Sequence, residues 1–423
     1  MPIVRLSPQY VSIILLCTWS IQNLNIPASR PHTRSSFKKI WWAILDSRKK
    51  IKWMVLTVLV PEYLMGKAFS DWSVSKDTCN QLKSAYGDED GVEWEMIHTH
   101  FANMGGFALD FSEVLRDKQV PSPPVQLTPV RGAEITAARM EHRLWALNAQ
   151  QLYNARSYRL IQTLPRVTVR ELERLRKGNP LTKFLAILQV TWLITQLIAR
   201  GVQHLPSSQL EIGALAFSAA SLFTYLLLWD RPQGVQSVHV MKATRFPTQD
   251  EMLHLLYFGP RYPFTGRRTR NTKHSDLDLV AVPYDAISFD RRWSPFTRIL
   301  DNKDDLFLLN LSAIPGGLLF GGLHFLAWNF HFPTPSESLL WRICSVAMTA
   351  LPIASIPFHI FWSWSIESSK LRRHLATLYL VGVIVIPYAL ARLFVMVELF
   401  RTLLFLPPEA FIETWSVAFP HWG

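Results

Sequence analysis

Long apolar stretches constrain the fold of this 423-residue chain more than any other feature. A helix that crosses a bilayer needs about 20 mostly apolar residues. The stretches of that length are residues 181–200, 209–229, 306–329, 338–362 and 375–399, and two shorter or interrupted ones are 10–26 and 52–68. Only 18% of the residues are charged, whereas soluble domains carry about a quarter. We therefore predict an all-α fold, a polytopic transmembrane helical bundle of six or seven spans.

The Lys and Arg content of the loops predicts how the spans are oriented. Residues 201–208 contain neither, whereas 230–305 and 363–374 are basic. Because positively charged loops stay on the cytoplasmic side, we expect these basic loops and the polar segment 70–180 to be cytoplasmic and the C-terminus to face the other side. The protein is thus predicted to be a multi-pass integral membrane protein, with the lipid bilayer as its first partner.

One region near the N-terminus does not fit simple alternation. Residues 27–51 are basic, yet seven spans would place them outside. Residues 52–68 are interrupted by Pro61-Glu62, so we predict that they lie in the interface or dip into the bilayer and return. Six spans then satisfy the charge pattern, and seven spans are the alternative.

These arguments divide the chain into successive segments. They are 1–69, an N-terminal span plus an interfacial or re-entrant segment; 70–180, a polar and mainly helical cytoplasmic segment; 181–229, a two-helix membrane hairpin; 230–305, a basic cytoplasmic loop; and 306–423, a three-span membrane region. Within the polar segment, residues 132–160 have apolar side chains at helical spacing, which predicts one helix.

Ionisable residues within spans are costly, so they are functional candidates. Arg392 lies deep in the last apolar stretch, and Glu398 follows six residues later, more than one helical turn away. A partner elsewhere, such as Glu62 or a backbone carbonyl, is at least as consistent with this spacing. Two roles are open for Arg392: a buried charge pair that fixes helix packing, or a contact to an anion or substrate.

Other polar residues of the spans offer further candidates. Gln189 and Gln196 are seven residues apart on one helix face, where amides hold helices together or line a polar path. His324 lies in the third long stretch and is a candidate acid/base group, as is Glu62. The simpler interpretation of His324 is a hydrogen-bonding residue in helix packing.

The sequence gives little sign of a metal, cofactor or nucleic-acid site. Glu95 and His98 have the spacing of helical di-iron ligands, but no second such motif exists, so we predict neither a metal nor a cofactor. The basic cluster 267–273 is expected to be a solvated face or to attract anionic lipid headgroups. The formal net charge of +12 is spread over several loops, which argues against nucleic acid.

Short motifs along most of the chain carry a family resemblance. They are Cys17-Thr18-Trp19, Asn25-Ile26-Pro27, Pro61-Glu62, Met104-Gly105-Gly106-Phe107, Ala327-Trp328-Asn329-Phe330-His331-Phe332-Pro333-Thr334 with Trp341-Arg342, and Ala391-Arg392-Leu393 through Glu398-Leu399-Phe400-Arg401. In these motifs the chain resembles a large fungal family of uncharacterised multi-pass integral membrane proteins. The resemblance implies a membrane location and a fungal source, and it implies no activity, substrate or catalytic residue.

The predicted function therefore rests on the buried polar residues. The leading hypothesis is a transport, channel or membrane-organising role, with Arg392, Glu398, Gln189 and Gln196 as interior polar residues. The alternative is a membrane-embedded enzyme that acts on an apolar metabolite or lipid by acyl transfer or cyclisation. His324 or Glu62 would then be its acid/base group.

Overall fold

The computed structural model describes most of the chain, and it is mainly helical. The described residues are 3–22, 25–26, 36–116, 144–175, 180–235, 237–259, 272–273, 279–281, 305–365 and 380–407. The helices are α1 (Ile3–Ser20), α2 (Ser36–Leu59), α3 (Pro61–Leu82), α4 (Met96–Asn103), α5 (Ser112–Arg116), α6 (Ala149–Ser157), α7 (Val169–Leu175), α8 (Pro180–Val202), α9 (Gln209–Leu227), α10 (Gln249–Tyr257), α11 (Asp305–Leu323), α12 (Pro335–Ser365) and α13 (Ile386–Arg401). A π-helical turn at Leu380–Val385 leads into α13, and another at Lys83–Gly87 follows α3.

A five-stranded mixed sheet joins the two polar segments of the chain. Its strands are β1 (Phe107–Asp110), β2 (Leu144–Leu147), β3 (His239–Lys242), β4 (Thr272–Lys273) and β5 (Leu279–Ala281), in the order β3-β1-β2-β5-β4. Strand β1 is antiparallel to β2 and parallel to β3. Because β1 and β2 come from segment 70–180 and the other three strands from 230–305, the two segments fold together. We call the unit formed by these strands with α4–α7 and α10 the sheet domain.

The sheet corrects the prediction of an all-α fold. The helix predicted over 132–160 is wrong at 144–147, which form β2, and right at 149–157, which form α6; residues 132–143 lie outside the described residues. The strands have at most four residues, and β1 and β2 are buried almost throughout. Such strands lack the polar–apolar alternation by which a half-buried strand is recognised.

The remaining large helices pack into a second unit, the helical bundle, formed by α1, α3, α8, α9 and α11–α13. Three helices among the described residues are long and apolar enough to cross a membrane, namely Gln209–Leu227, Pro335–Ser355 and Gly382–Phe405. Shorter apolar helices are Tyr10–Ser20, Ile187–Val202 and Ile314–Ala327. Each of the six overlaps a stretch that the sequence predicted to span.

Helix α13 of this bundle exposes large apolar side chains and buries ionisable ones. On α13, Leu390 is 62% and Leu393 58% exposed, whereas Arg392 is 3% and Glu398 1% exposed. Charged side chains are almost never fully buried in soluble proteins unless they are paired. On α13, apolar side chains are thus exposed while Arg392 and Glu398 are buried.

Glycines allow the bundle helices to approach closely. A Cβ added at Gly321 would lie 2.5 Å from the Thr349 hydroxyl oxygen of α12, and one at Gly317 would lie 3.0 Å from Pro352. One at Gly213 of α9 would lie 2.9 Å from the side chain of Leu399. Small residues have the same role in membrane helix packing.

Candidate functional site at a helix break

The candidate site begins where α2 ends and α3 starts, at Val60-Pro61. Val60 leaves the helical conformation, with φ −141° and ψ 71°, and Pro61 has no N–H to donate. The N–H of Tyr63 bonds to the carbonyl of Val60 at 3.2 Å and not to that of Leu59. The break therefore deprives the last carbonyls of α2 of their helical partners.

Arg392 from α13 supplies hydrogen bonds to two of these carbonyls. Its Nε donates to Leu59 O at 3.2 Å and its Nη2 to Val58 O at 2.9 Å. A positive charge at a helix C-terminus also interacts favourably with the helix dipole. Arg392 thus caps α2 across more than 300 residues of sequence.

Two aromatic rings enclose the same guanidinium group. Its central carbon lies 4.2 Å from the ring centroid of Phe320 in α11 and 5.3 Å from that of Phe217 in α9. Cation–π contacts of this kind are strongest when the cation is desolvated, as Arg392 is. Helices α9, α11 and α13 therefore meet at this one side chain.

Glu62 lies in the first turn of α3, beside this cluster. It is 2% exposed, and neither of its carboxylate oxygens has a hydrogen-bond partner among the described residues. Arg392 Nη1 and the hydroxyl of Tyr388 on α13 are also buried and have no hydrogen-bond partner of standard geometry among the described residues. Glu62 and Tyr388 both act electrostatically on Arg392, and the Tyr388 hydroxyl also interacts with the Glu62 carboxyl. These complementary polar groups therefore lie close together, without a hydrogen bond of standard geometry between them.

His324 completes the cluster at the C-terminal end of α11. Its Nδ1 lies 2.8 Å from the carbonyl oxygen of Phe320. Because a carbonyl oxygen can only accept, Nδ1 carries the proton, and the lone pair of the neutral ring is on Nε2. That nitrogen is buried and has no partner among the described residues. The Phe320 ring lies between His324, at 5.0 Å, and Arg392.

The chain bends sharply at the break. The rings of Trp53 on α2 and Tyr63 on α3 stack at 6.1 Å and 19°, although ten residues of straight helix would separate them by about 15 Å. On the other side, Gly316 of α11 lies against the first turn of α3, where a Cβ would come within 2.9 Å of Glu62 Cα. The acidic residue is thereby fixed by backbone packing.

The structure brings three of the predicted residues together and separates the rest. Arg392, Glu62 and His324 share the cluster, whereas Glu398 pairs with Arg401, 3.7 Å away, at the far end of α13. Gln196 donates to the hydroxyl of Tyr10 at 3.0 Å. Tyr10 in turn donates to Glu211, which pairs with Arg200. Gln189 is half-buried on α8.

Tyr388, Phe217 and Phe320 were missed by reasoning from the sequence. Tyr388 is four residues before Arg392, one turn away on the same helix face, and that spacing was the available signal. The two phenylalanines gave no sequence signal, because they lie on other helices and phenylalanine is common in apolar helices.

A second polar cluster lies further along α3, where the bundle meets the sheet domain. Arg231 Nη1 and Lys67 Nζ donate to the same oxygen of Asp71, at 2.7 and 2.9 Å, and Arg231 Nη2 donates to Asn25 Oδ1 at 2.8 Å. Burial by itself would raise the pKa of Asp71, but the charges of Lys67 and Arg231 hold it below its usual range. We call these residues the junction network.

Hydrogen bonds continue from α3 into the sheet domain. Asn103 donates to Ser75 Oγ at 3.0 Å, and that oxygen lies 3.2 Å from His100 Nδ1. Asn103 also accepts from the N–H of Ala149 at 3.0 Å. Burial first, and then the charge of Arg231, lower the pKa of His100 to about 3, so this histidine is neutral and links helices.

The Glu95-to-His98 spacing belongs to a helix cap. The N–H of Glu95 donates to His98 Nδ1 at 3.0 Å, and His98 Nε2 donates to Val167 O at 2.7 Å. Both ring nitrogens are therefore occupied at the start of α4. Within the described ranges no three His, Cys, Asp or Glu side chains are close enough to hold a metal ion. Of the basic cluster 267–273, only Thr272 and Lys273 are described, in β4.

Residues 145–260 match a family of unknown function (DUF8562). The match begins within β2 and ends after α10, so it includes α8 and α9 and leaves the helix break outside. No curated protein and no solved structure matches the chain. The similarity is thus to an uncharacterised family, over about a quarter of the chain.

Proposed function

We propose that this chain is a multi-pass integral membrane protein that transports a small polar solute, and that the helix break is its binding site. The break itself carries the proposal. In secondary transporters, discontinuous helices supply the substrate and ion sites, because their free ends present backbone charge inside an apolar bundle. Here the last carbonyls of α2, which lack helical donors and accept from Arg392, lie with Glu62 at the first turn of α3.

Several observations support the membrane part of the proposal. Three apolar helices have the length to span, and the exposed surface of α13 is apolar around a charged interior. The sharp bend between Trp53 and Tyr63 favours a segment 52–68 that enters and returns, which gives six spans. The sheet domain then lies in the cytoplasm, where its basic cluster 267–273 attracts anionic lipid headgroups.

The proposed function is tested by comparing metabolites in cells and in medium separately. Cells without this chain are complemented with the wild-type protein, with Arg392→Lys or with Arg342→Lys. Lysine keeps the charge but lacks the fork that reaches two carbonyls. We expect a compound that shifts between cells and medium with the wild-type protein to stay unshifted with Arg392→Lys.

Arg342 is the matched control because its contacts have the same chemistry elsewhere. Its Nε donates to Trp328 O at 3.0 Å and its guanidinium lies 5.4 Å from the Trp328 ring. Arg342→Lys is expected to restore the wild-type distribution. A wild-type distribution with Arg392→Lys, at normal levels in the membrane, would refute the proposed site.

A second function is favoured by the acid/base character of the cluster. His324 Nε2, the Tyr388 hydroxyl and the Glu62 carboxyl are all buried and unpartnered within the described residues, and side chains of these types transfer protons in enzymes. The enzyme would act on an apolar metabolite or lipid. Acyl transfer and cyclisation are the reactions in question. In the same comparison an enzyme would leave a precursor accumulated and its product absent, and His324→Gln would reproduce that change.

A further inference from the structure

The cluster contains one guanidinium group and two competing sets of acceptors. Arg392 uses Nε and Nη2 on the α2 carbonyls, while Nη1 has no partner among the described residues. The Glu62 carboxyl, one short turn after those carbonyls, is also unpartnered there. An ionised carboxylate makes strong, charge-assisted bonds with a guanidinium group, so the absence of one here needs a reason.

Protonation of Glu62 supplies that reason. An ionised carboxylate that is buried without hydrogen bonds is very costly, and such groups neutralise instead. A neutral carboxyl has little attraction for Arg392, which is then free to cap α2. An ionised carboxyl would draw the guanidinium group away from the carbonyls of Val58 and Leu59.

Among the groups that face it from the neighbouring helices, Glu62 is the one carboxyl that the described residues place in this cluster. Helix α13 contributes Arg392 and Tyr388, and α2 contributes backbone carbonyls. His324 lies at the end of α11; its Nδ1 donates to a carbonyl, and its Nε2 is buried without a partner among the described residues. Helix α9 contributes Phe217; its ionisable residues are near its ends, at Glu211 and Tyr225.

We infer that Glu62 reversibly binds a proton, and that this proton decides whether Arg392 caps α2 or pairs with Glu62. On deprotonation the proton leaves for water, and Arg392 donates to the carboxylate through Nη1. The end of α2 then loses its cap and the break loosens. The role of this proton rests on the proposed function: if the chain transports a solute, the proton bound by Glu62 is the ion coupled to transport.

Infrared difference spectroscopy of the purified full-length protein in lipid nanodiscs tests the proton site. We expect the wild-type protein to lose a protonated-carboxyl C=O band as pH rises. Glu62→Gln should lack that band, and Glu62→Asp should have a shifted one. The matched control is Glu211→Gln, which removes another buried carboxyl and should keep the Glu62 band. A band that persists in Glu62→Gln, or no titrating band at all, would overturn the inference.

Hydrogen exchange tests the movement of Arg392. Wild-type protein and Glu62→Gln are compared at the same pH, which cancels the intrinsic pH dependence of exchange. We expect peptides covering residues 55–64 to exchange faster in the wild-type protein than in Glu62→Gln, and only at pH values above the one at which the carboxyl band disappears. Equal exchange at every pH would refute the exchange of partners by Arg392.

These measurements separate the two proposals. Neither readout depends on transport. A titrating Glu62 in a protein that moves no solute would refute the proposed function and leave the proton site. Transport that depends on Arg392, with no titrating carboxyl, would refute the proton site and leave the function.

Discussion

Gly316→Ala tests whether the first turn of α3 is held by direct backbone contact. The added Cβ would lie 2.9 Å from Glu62 Cα, 3.2 Å from Glu62 O and 3.2 Å from Met65 Cβ. Two of these three atoms are backbone, so no rotamer change relieves the contact. Inserting a methyl group into a packed interior typically costs about 1–3 kcal/mol, while replacing glycine by alanine in a helix gains about 1 kcal/mol.

Gly322→Ala is the matched control on the same helix. A Cβ there would meet nothing within 4 Å, so the variant gains helix propensity without the overlap. The difference between the two variants isolates the contact, and we expect Gly316→Ala to be the less stable by about 1–3 kcal/mol. Thermal unfolding in detergent, followed by the fluorescence of the 16 tryptophans, measures it. Equal midpoints would refute the close contact between α11 and the helix break.

Three further predictions concern the sheet domain and the cysteines. Because the pKa of His100 is lowered from 6.5 to about 3, the unfolded chain binds more protons between these values. Stability should therefore fall as pH drops from 6.5 towards 3, by about 1.4 kcal/mol per unit for this group, and denaturant unfolding of His100→Asn should give a flatter profile. Asp90→Asn weakens the bonds from Arg156, of which the two shortest are 3.0 and 2.7 Å, and should lower the free energy of unfolding by about 1–3 kcal/mol in the same assay. The three cysteines are buried, so a water-soluble maleimide, followed by mass spectrometry, should label them only after unfolding.

The sequence predicted the parts of the fold that depend on local composition. Apolar length located helices such as α9 and α13, and proline located the break. The sheet was missed because its pairing is not local. Strand β1 pairs with β3 across more than 120 residues, and four buried residues such as Phe107–Asp110 have no period that separates a strand from a turn of buried helix.

The candidate site was predicted only in part, because local composition indicates its charged residues and does not indicate their non-local partners. The cost of burying charge singled out Arg392 and Glu62, and the six-residue spacing already argued against a bond to Glu398. The actual partners of Arg392 are carbonyls of α2, and no side-chain pattern records that a carbonyl has lost its helical donor. The junction network was missed entirely, because Arg231 and Asp71 have the sequence surroundings of ordinary polar residues.

The polar cluster is difficult to explain as a packing device alone. A residue other than Pro61 would let α2 and α3 hydrogen-bond continuously, and a leucine at 392 would then pack between Phe217 and Phe320 at no electrostatic cost. The chain instead buries an arginine that caps the end of α2 and, beside it, an acid to which that arginine makes no hydrogen bond. Replacing buried ion pairs by apolar residues is often neutral or stabilising, so stability does not require this arrangement. The proposed solute and proton site gives it a use, because the Glu62 carboxyl and Arg392 Nη1 have no hydrogen-bond partner among the described residues and can take a new one.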